Sequence, residues 1–332
     1  MDAIVTAGGI PLPEEPLYDA TRGNPKALVD VAGKPMVQWV LDALSASSYI
    51  DNVIIVGLTD KSGLKCQKKM YFVSNQGKMV ENLQAGAQKV LEVNDKAEYV
   101  LIAASDIPAI TGEMVDWVVK TALEEKVDIV YNVIPRQVME KRFPGSKRTW
   151  TKLSDMEICG GDLNAARISL IVNDDTEMWE KITNSRKNPL KQAALIGYDT
   201  ALLLLTGRLS LQDAETRVMK RMNITGKAIV SPYAEVGMDV DKPHQLEIMR
   251  ADLAKRNKHA EKGSRSAKKK ARVLKATVKA KKILPTTKKT IPAKPAGKAQ
   301  KAAAPAKKIH ARKIEKAVPK QKKVPARKTT KK

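Results

Sequence analysis

The chain of 332 residues carries 60 Lys and Arg against 36 Asp and Glu, a formal net charge of +24, and only 4% of its residues are aromatic. Two cysteines, Cys66 and Cys159, exclude a disulfide framework and lack metal-ligand spacing. The most apolar run, Ala201 to Leu205, is too short to cross a bilayer, and no cationic leader precedes an apolar stretch, so a soluble cytoplasmic protein with no membrane partner is expected.

The first predicted element is a buried strand, Ala3-Ile4-Val5, which runs into Ala7-Gly8-Gly9. Glycines directly after a strand let the backbone turn tightly and turn its N–H groups toward an anion. Pro25-Lys26-Ala27-Leu28 then supplies a mobile positive charge. Met36, Val37, Val40, Leu41 and Leu44 follow at helical spacing, with Pro35 at the helix start. Val53 to Gly57 reads as a second strand, Met79, Val80, Leu83 and Ala87 as a helix, and Tyr99 to Ala104 as a third strand that ends beside Asp106. Thr111 is placed to cap a helix carrying Val115, Val118 and Val119, and Asp128 to Val133 forms a further strand.

From about 136 to 195 the alternation weakens, and an inserted lobe covering the acceptor side is expected there. Ser210 is placed to start a helix, Ala228 to Val230 reads as a late strand, and Val236 to Val240 as the last. On such a strand Asp239 and Asp241 face the same side. Pro243 stands near the start of a closing helix with Leu246, Ile248 and Met249 as its apolar contacts. Repeated β-α-β units with continuous apolar strands predict an α/β fold, a three-layer, mostly parallel, doubly wound sheet. Ligands bind such sheets at the carboxyl ends of the strands, where Gly8, Asp106 and Asp241 would fall.

Three islands carry a likeness to a known family. They are the N-terminal loop with Pro25-Lys26-Ala27-Leu28 and Ala32-Gly33-Lys34-Pro35-Met36-Val37-Gln38, then Ser105-Asp106-Ile107-Pro108, then Gly237-Met238-Asp239-Val240-Asp241. Over roughly the first 250 residues the chain resembles the nucleotidyltransferase superfamily, which includes sugar-1-phosphate uridylyltransferases and molybdopterin guanylyltransferases. The resemblance implies Mg2+-dependent transfer of a nucleoside monophosphate from a nucleoside triphosphate to a small phosphorylated acceptor, with release of pyrophosphate. It implies that Ala7, Gly8, Gly9 and Lys26 hold the triphosphate and that Asp106 and Asp241 bind the metal, with Asp239 the weaker alternative for the second ligand. Arg22 takes the place of the family's loop arginine, here on a longer loop that includes Glu14-Glu15. Asn82, with Gln84 and Gly86, belongs to the region that faces the base, and Gly161, Asp162 and Asn164 to the acceptor side. Plainer readings stand beside these: Asp106 as a turn residue, Asp241 as a helix cap, and Gly161 to Asn164 as an ordinary turn.

The charge is unevenly spread. Residues 255–332 hold 30 Lys and Arg with only Glu261 and Glu315 against them, which leaves 30 basic and 34 acidic residues in 1–254. Lys, Ala and Pro in irregular repeats cannot bury enough apolar surface to offset ordering entropy, so a disordered tail is expected. It resembles the lysine-rich tails of linker histones and implies binding to nucleic acid or another polyanion, with a solubilising tail as the plainer reading. An alternative function follows: a catalytically degenerate nucleotide-binding domain in a nucleoid-associated DNA-binding protein. A glycosyltransferase is disfavoured because its acidic pair is not visible around Asp106.

Overall fold

The computed structural model of the chain describes residues 1–172 and 197–258. Strand β1 (Asp2–Thr6) is followed by a short helix α1 (Tyr18–Thr21), a 3-10 turn at Lys26–Leu28 and a two-stranded ribbon, β2 (Asp30–Val31) with β3 (Lys34–Pro35). Then come α2 (Met36–Ala46), β4 (Asn52–Val56), β5 (Lys69–Val73), α3 (Met79–Val93), β6 (Tyr99–Ala104), α4 (Gly112–Glu125), β7 (Ile129–Pro135) and α5 (Arg136–Arg142). Strands β8 (Thr151–Lys152), β9 (Glu157–Gly160) and β10 (Leu163–Arg167) lead into α6 (Ile168–Val172). Beyond the gap lie α7 (Tyr198–Leu205), α8 (Leu211–Met222), β11 (Gly226–Val230), and a helix α9 over residues 243–258.

The main sheet runs β5-β4-β1-β6-β10-β7, with the first four strands mutually parallel. Strand β10 is antiparallel to both β6 and β7, and β11 is parallel to β7. Ile129 and Val130, which pair with β10, and Val133, which pairs with β9, pair also with β11, so β11 occupies the other side of β7. Because side chains alternate along a strand, the sheet has two apolar faces. Ala3, Val5, Val53, Ile55 and Leu101 pack with Val37, Val40 and Leu44 of α2 and with Val115 and Val119 of α4. Ile4, Ile54, Val56 and Val100 pack instead with Leu83, Ala87 and Val90 of α3 and with Ile168 and Ile171 of α6. Those helices on two faces make the expected three-layer, doubly wound architecture. A further cluster joins Met36, Trp39, Ile134, Met139, Phe143 and Met238 to Leu246, Met249 and Leu253 of α9.

Local signals hold where their chemistry is short-range. Thr111 accepts from the Met114 N–H, and Ser210 accepts from the Asp213 N–H, each as a helix cap. Three expectations are corrected. The stretch read as a last strand, Val236 to Val240, is a 3-10 turn (Ala234–Gly237) running into extended chain, joined to the Asp106 carbonyl by the Val240 N–H. Its residues are buried like a strand's, but Gly237 lies so close to Ile134 that a Cβ there would meet its Cδ1 at 2.5 Å. Within the stretch from about 136 to 195, expected as an inserted acceptor-side lobe, residues up to 172 supply strands β8, β9 and β10 to the main sheet. Their small and polar residues, Asn164 and Arg167 among them, hide the strand pattern; residues 173–196 lie outside the described residues. Finally, α9 passes the expected boundary at 255. Arg256 stacks over Trp39 at 5.3 Å and donates to the Ala109 carbonyl. The tail from 259 onward, with the disorder expected of it, lies outside the described residues.

Candidate active site

The strand ends on one side of the sheet enclose a cavity of about 490 Å³. It is lined by Thr6, Gly8 and Gly9 after β1, Asn75 and Gly77 after β5, and Asn82 on α3. Ser105 and Asp106 after β6, and Asp162, Asp239 and Asp241, complete it together with Lys26. Ala7 still belongs to the sheet, since its N–H donates to the Val56 carbonyl at 2.8 Å; the chain departs only at Gly8. Gly57, at the end of β4, has φ +101°, and a Cβ on it would stand 2.2 Å from Gly8 Cα. Only glycine lets the two loops cross there. Asn75 fastens the loop from the other side: its Nδ2 donates to the Gly8 carbonyl at 3.1 Å, while its Oδ1 accepts from the Gly77 N–H and from Asn82.

The Lys26 N–H donates to the Gly9 carbonyl at 2.9 Å, and the 3-10 turn that follows aims its side chain inward. The ammonium lies 2.5 Å from Asp106 Oδ2 and 2.5 Å from Asp241 Oδ1. Burial alone would lower the Lys26 pKa, but the two carboxylates outweigh it and hold the ammonium well above the ordinary lysine range. Burial likewise opposes ionisation of Asp241, and the attraction of Lys26 overcomes it, keeping the carboxyl below its ordinary value. Asp241 is not the cap of α9. Gln245 Oε1 accepts from the N–H groups of both Asp241 and Lys242, which leaves the Asp241 carboxylate free to face the cavity.

Two carboxylates meeting at one cation are the donor set for a hard divalent ion. Asp106 Oδ1 strengthens the fit, being buried with no hydrogen-bond partner, an arrangement that costs free energy unless something else occupies it. Among the described residues no group of three or more His, Cys, Asp or Glu forms a ready-made metal cage. The remaining ligands would therefore come from phosphate oxygens or water.

Of the residues singled out in the sequence, Gly8, Gly9, Lys26, Asn82, Asp106, Asp162 and Asp241 line the cavity, and so does Asp239. Ala7 lies buried behind it. Arg22 does not join: it is exposed, in a left-handed conformation at the end of α1. Gly161 and Asn164 are not among the residues lining the cavity. Asn164 accepts from the Asn132 N–H and donates to the Gly161 carbonyl, holding the break between β9 and β10. Gly86 presses against Ile4 in the core. Sequence reasoning missed Asn75 and Arg148. Asn75 was findable, since Asn75-Gln76-Gly77 is a polar turn between a strand and a helix, at the carboxyl end of the sheet. Arg148 carries no local signal.

A family model described as a MobA-like NTP transferase domain matches residues 20–269. A solved structure, a hypothetical transferase from Thermus thermophilus, is 34% identical, with a TM-score of 0.62, over 74% of this chain and 98% of that one. Two curated relatives are 3-deoxy-manno-octulosonate cytidylyltransferases. That of Bdellovibrio bacteriovorus is 27% identical over 118 residues, 34% of this chain and 45% of the relative. That of Aliivibrio salmonicida is 33% identical over 108 residues, 31% of this chain and 42% of the relative. The chain thus spans less than half the length of either curated relative. Among the described residues, no helix is long and apolar enough to cross a membrane.

Proposed function

Because the chain belongs to the MobA-like NTP transferase family, we propose that it is a nucleotidyltransferase that moves a nucleoside monophosphate from a nucleoside triphosphate to a small phosphorylated acceptor, releasing pyrophosphate. The observation that carries the reading is the Lys26 ammonium lying 2.5 Å from both Asp106 and Asp241 at the mouth of the glycine loop. The names of the two curated relatives favour CTP as donor, and they offer a sugar acid as the acceptor to test beside phosphorylated ones.

In the ligand-free site Lys26 balances its two carboxylates. An incoming triphosphate competes for the ammonium, and the flexible lysine stem lets it move from carboxylate to phosphate. Gly8 and Gly9 leave room for the phosphates to approach the main chain, while Asn75 and Asn82 hold that loop in place. Asp106 and Asp241, relieved of Lys26, are the residues that would hold Mg2+, which supplies neutralisation of the phosphate charge. Catalysis of this kind is chiefly positioning and charge stabilisation, which suits a cavity whose charged lining is Lys26 and four aspartates.

The test is the thermal stability of the full chain with each nucleoside triphosphate, with and without Mg2+, followed by pyrophosphate release with candidate acceptors. A Mg2+-dependent rise for one triphosphate, lost in Asp106→Ala, is the expected result. No shift with any triphosphate would overturn the reading and favour polyanion binding by the tail, whereas a shift with no pyrophosphate release would favour the degenerate nucleotide-binding domain. Residues 255–332, with 30 basic residues against two acidic and no aromatic residue, support a second proposal, sequence-independent binding of nucleic acid or another polyanion. Binding to mixed-sequence DNA should weaken by about 10³–10⁵-fold between roughly 50 and 200 mM salt if about ten side chains engage phosphates.

A further inference from the structure

Beside the Lys26 cluster, the cavity is walled by two more carboxylates, Asp162 and Asp239. One guanidinium serves both. Arg148 pairs with Asp239 through Nη1, and its Nη2 stands 3.8 Å from Asp162 Oδ2. The side chains of Arg148 and Asp239 are each only 13% exposed. The segment that delivers Arg148 is pinned in place. Phe143 and Ser146 are buried, and the Ser146 carbonyl accepts from Gln245 Nε2 at 3.3 Å and lies 3.1 Å from His244 Nε2, both in the first turn of α9.

The two cations paired with the cavity's carboxylates therefore differ in kind. Lys26 sits on a flexible stem beside the half-exposed Asp241 and can exchange a carboxylate for a phosphate. Arg148 presents a planar guanidinium from a segment tied to α9 and reaches two carboxylates, so it has less reason than Lys26 to leave them for a phosphate. When Lys26 turns to a triphosphate, Asp106 and Asp241 are released, while Asp162 and Asp239 still share Arg148.

We propose that Arg148 is a positioning residue, a permanent internal counter-ion that keeps Asp239 and Asp162 from taking a divalent cation and so confines metal binding to Asp106 and Asp241. The inference rests on the reading that Asp106 and Asp241 hold the metal. It explains how four cavity carboxylates present one cation site: without Arg148, Asp239 stands two residues from Asp241 with nothing to separate their roles.

The test counts Mn2+ bound to the full chain, with the metal alone as probe, from the electron paramagnetic resonance signal of the free ion. The wild type should bind one Mn2+, which displaces the Lys26 ammonium from Asp106 and Asp241, and should lose it in Asp106→Asn. Arg148→Met should bind a second, and Arg148→Lys should restore the single site. Asp239→Asn removes one net negative charge from the cavity, leaving Arg148 with Asp162 alone, and should weaken the remaining site by about tenfold. Should Arg148→Met fail to fold, the double variant Arg148→Met, Asp239→Asn carries the test, since it removes one charge of each sign and should bind one Mn2+ at nearly wild-type affinity. A second site absent from folded Arg148→Met, or a double variant of altered affinity, overturns the inference alone. A wild type that binds no Mn2+, or keeps it after Asp106→Asn, overturns the metal reading and the inference with it.

Discussion

Lys26→Met keeps most of the side-chain stem and deletes the charge between Asp106 and Asp241. The two arms of that cluster are not equal. The Asp241 side chain is 56% exposed, so its arm is screened and contributes about 0–1 kcal/mol. Asp106 is 17% exposed, with its other oxygen buried and without a partner, so its arm approaches the roughly 3 kcal/mol of a broken buried pair. The ligand-free protein should lose about 2–3 kcal/mol, a melting temperature roughly 5–10 °C lower for a domain of this size. Turnover, followed by pyrophosphate release, should fall about 10²–10³-fold. Adding Asp106→Asn should recover most of the stability and none of the turnover.

The pH dependence has a definite sign. Asp241 is held below its ordinary 3.8 and Lys26 above its ordinary 10.5, so the contact stabilises fully between those values and is lost as pH falls through the lowered carboxyl pKa. The gap in melting temperature between wild type and Lys26→Met should therefore narrow below about pH 4. A variant with wild-type turnover, or one whose deficit in stability is the same at pH 3 and pH 7, would refute the reasoning.

Gly57→Ala must force a methyl group against the Gly8 backbone at a positive φ; a loss of at least about 2–3 kcal/mol in urea unfolding, with a raised KM for the triphosphate, is expected. Asn75→Ala frees the glycine loop without touching the carboxylates, so its KM should rise several-fold while the Mn2+ affinity of the ligand-free protein stays put. Arg142 joins α5 to α9 by a bidentate pair with Asp252 at 2.8 Å and a bond to Glu235 at 2.7 Å. Arg142→Ala should cost about 1–2 kcal/mol in the same unfolding assay, less in high salt. Ending the chain at 254 removes Arg256 from the face of Trp39, and that form should melt measurably below one ending at 258, by about 1–2 kcal/mol.

How much the sequence discloses depends on how far apart the interacting residues are. The buried strands β1, β4 and β6 and the caps at Thr111 and Ser210 are written in neighbouring residues, and they stand where periodicity puts them. Gly8, Lys26 and Asp106 are legible for a similar reason, since each follows a strand end or a turn with its own pattern. Strand β10 is not, because its polar Asn164 spends its side chain on Asn132 and Gly161, contacts that no local pattern encodes. The turn before Asp239 imitates a strand because both bury a run of apolar residues. Arg148 is the extreme case. Its meaning lies in carboxylates that the chain supplies elsewhere, and an isolated arginine beside Lys147 looks like any surface charge.

The Lys26–Asp241 contact spans 215 residues of chain, from the first loop to the threshold of α9. A ribosome that has emitted the glycine loop, the lysine and even Asp106 has not yet made a working pocket. The last carboxylate, and the helix whose Gln245 orients it, arrive only near the end of synthesis of the folded domain. On the proposed function, nucleotide capture would report completed folding, and truncated or stalled chains should bind no triphosphate however much of the sheet they have assembled.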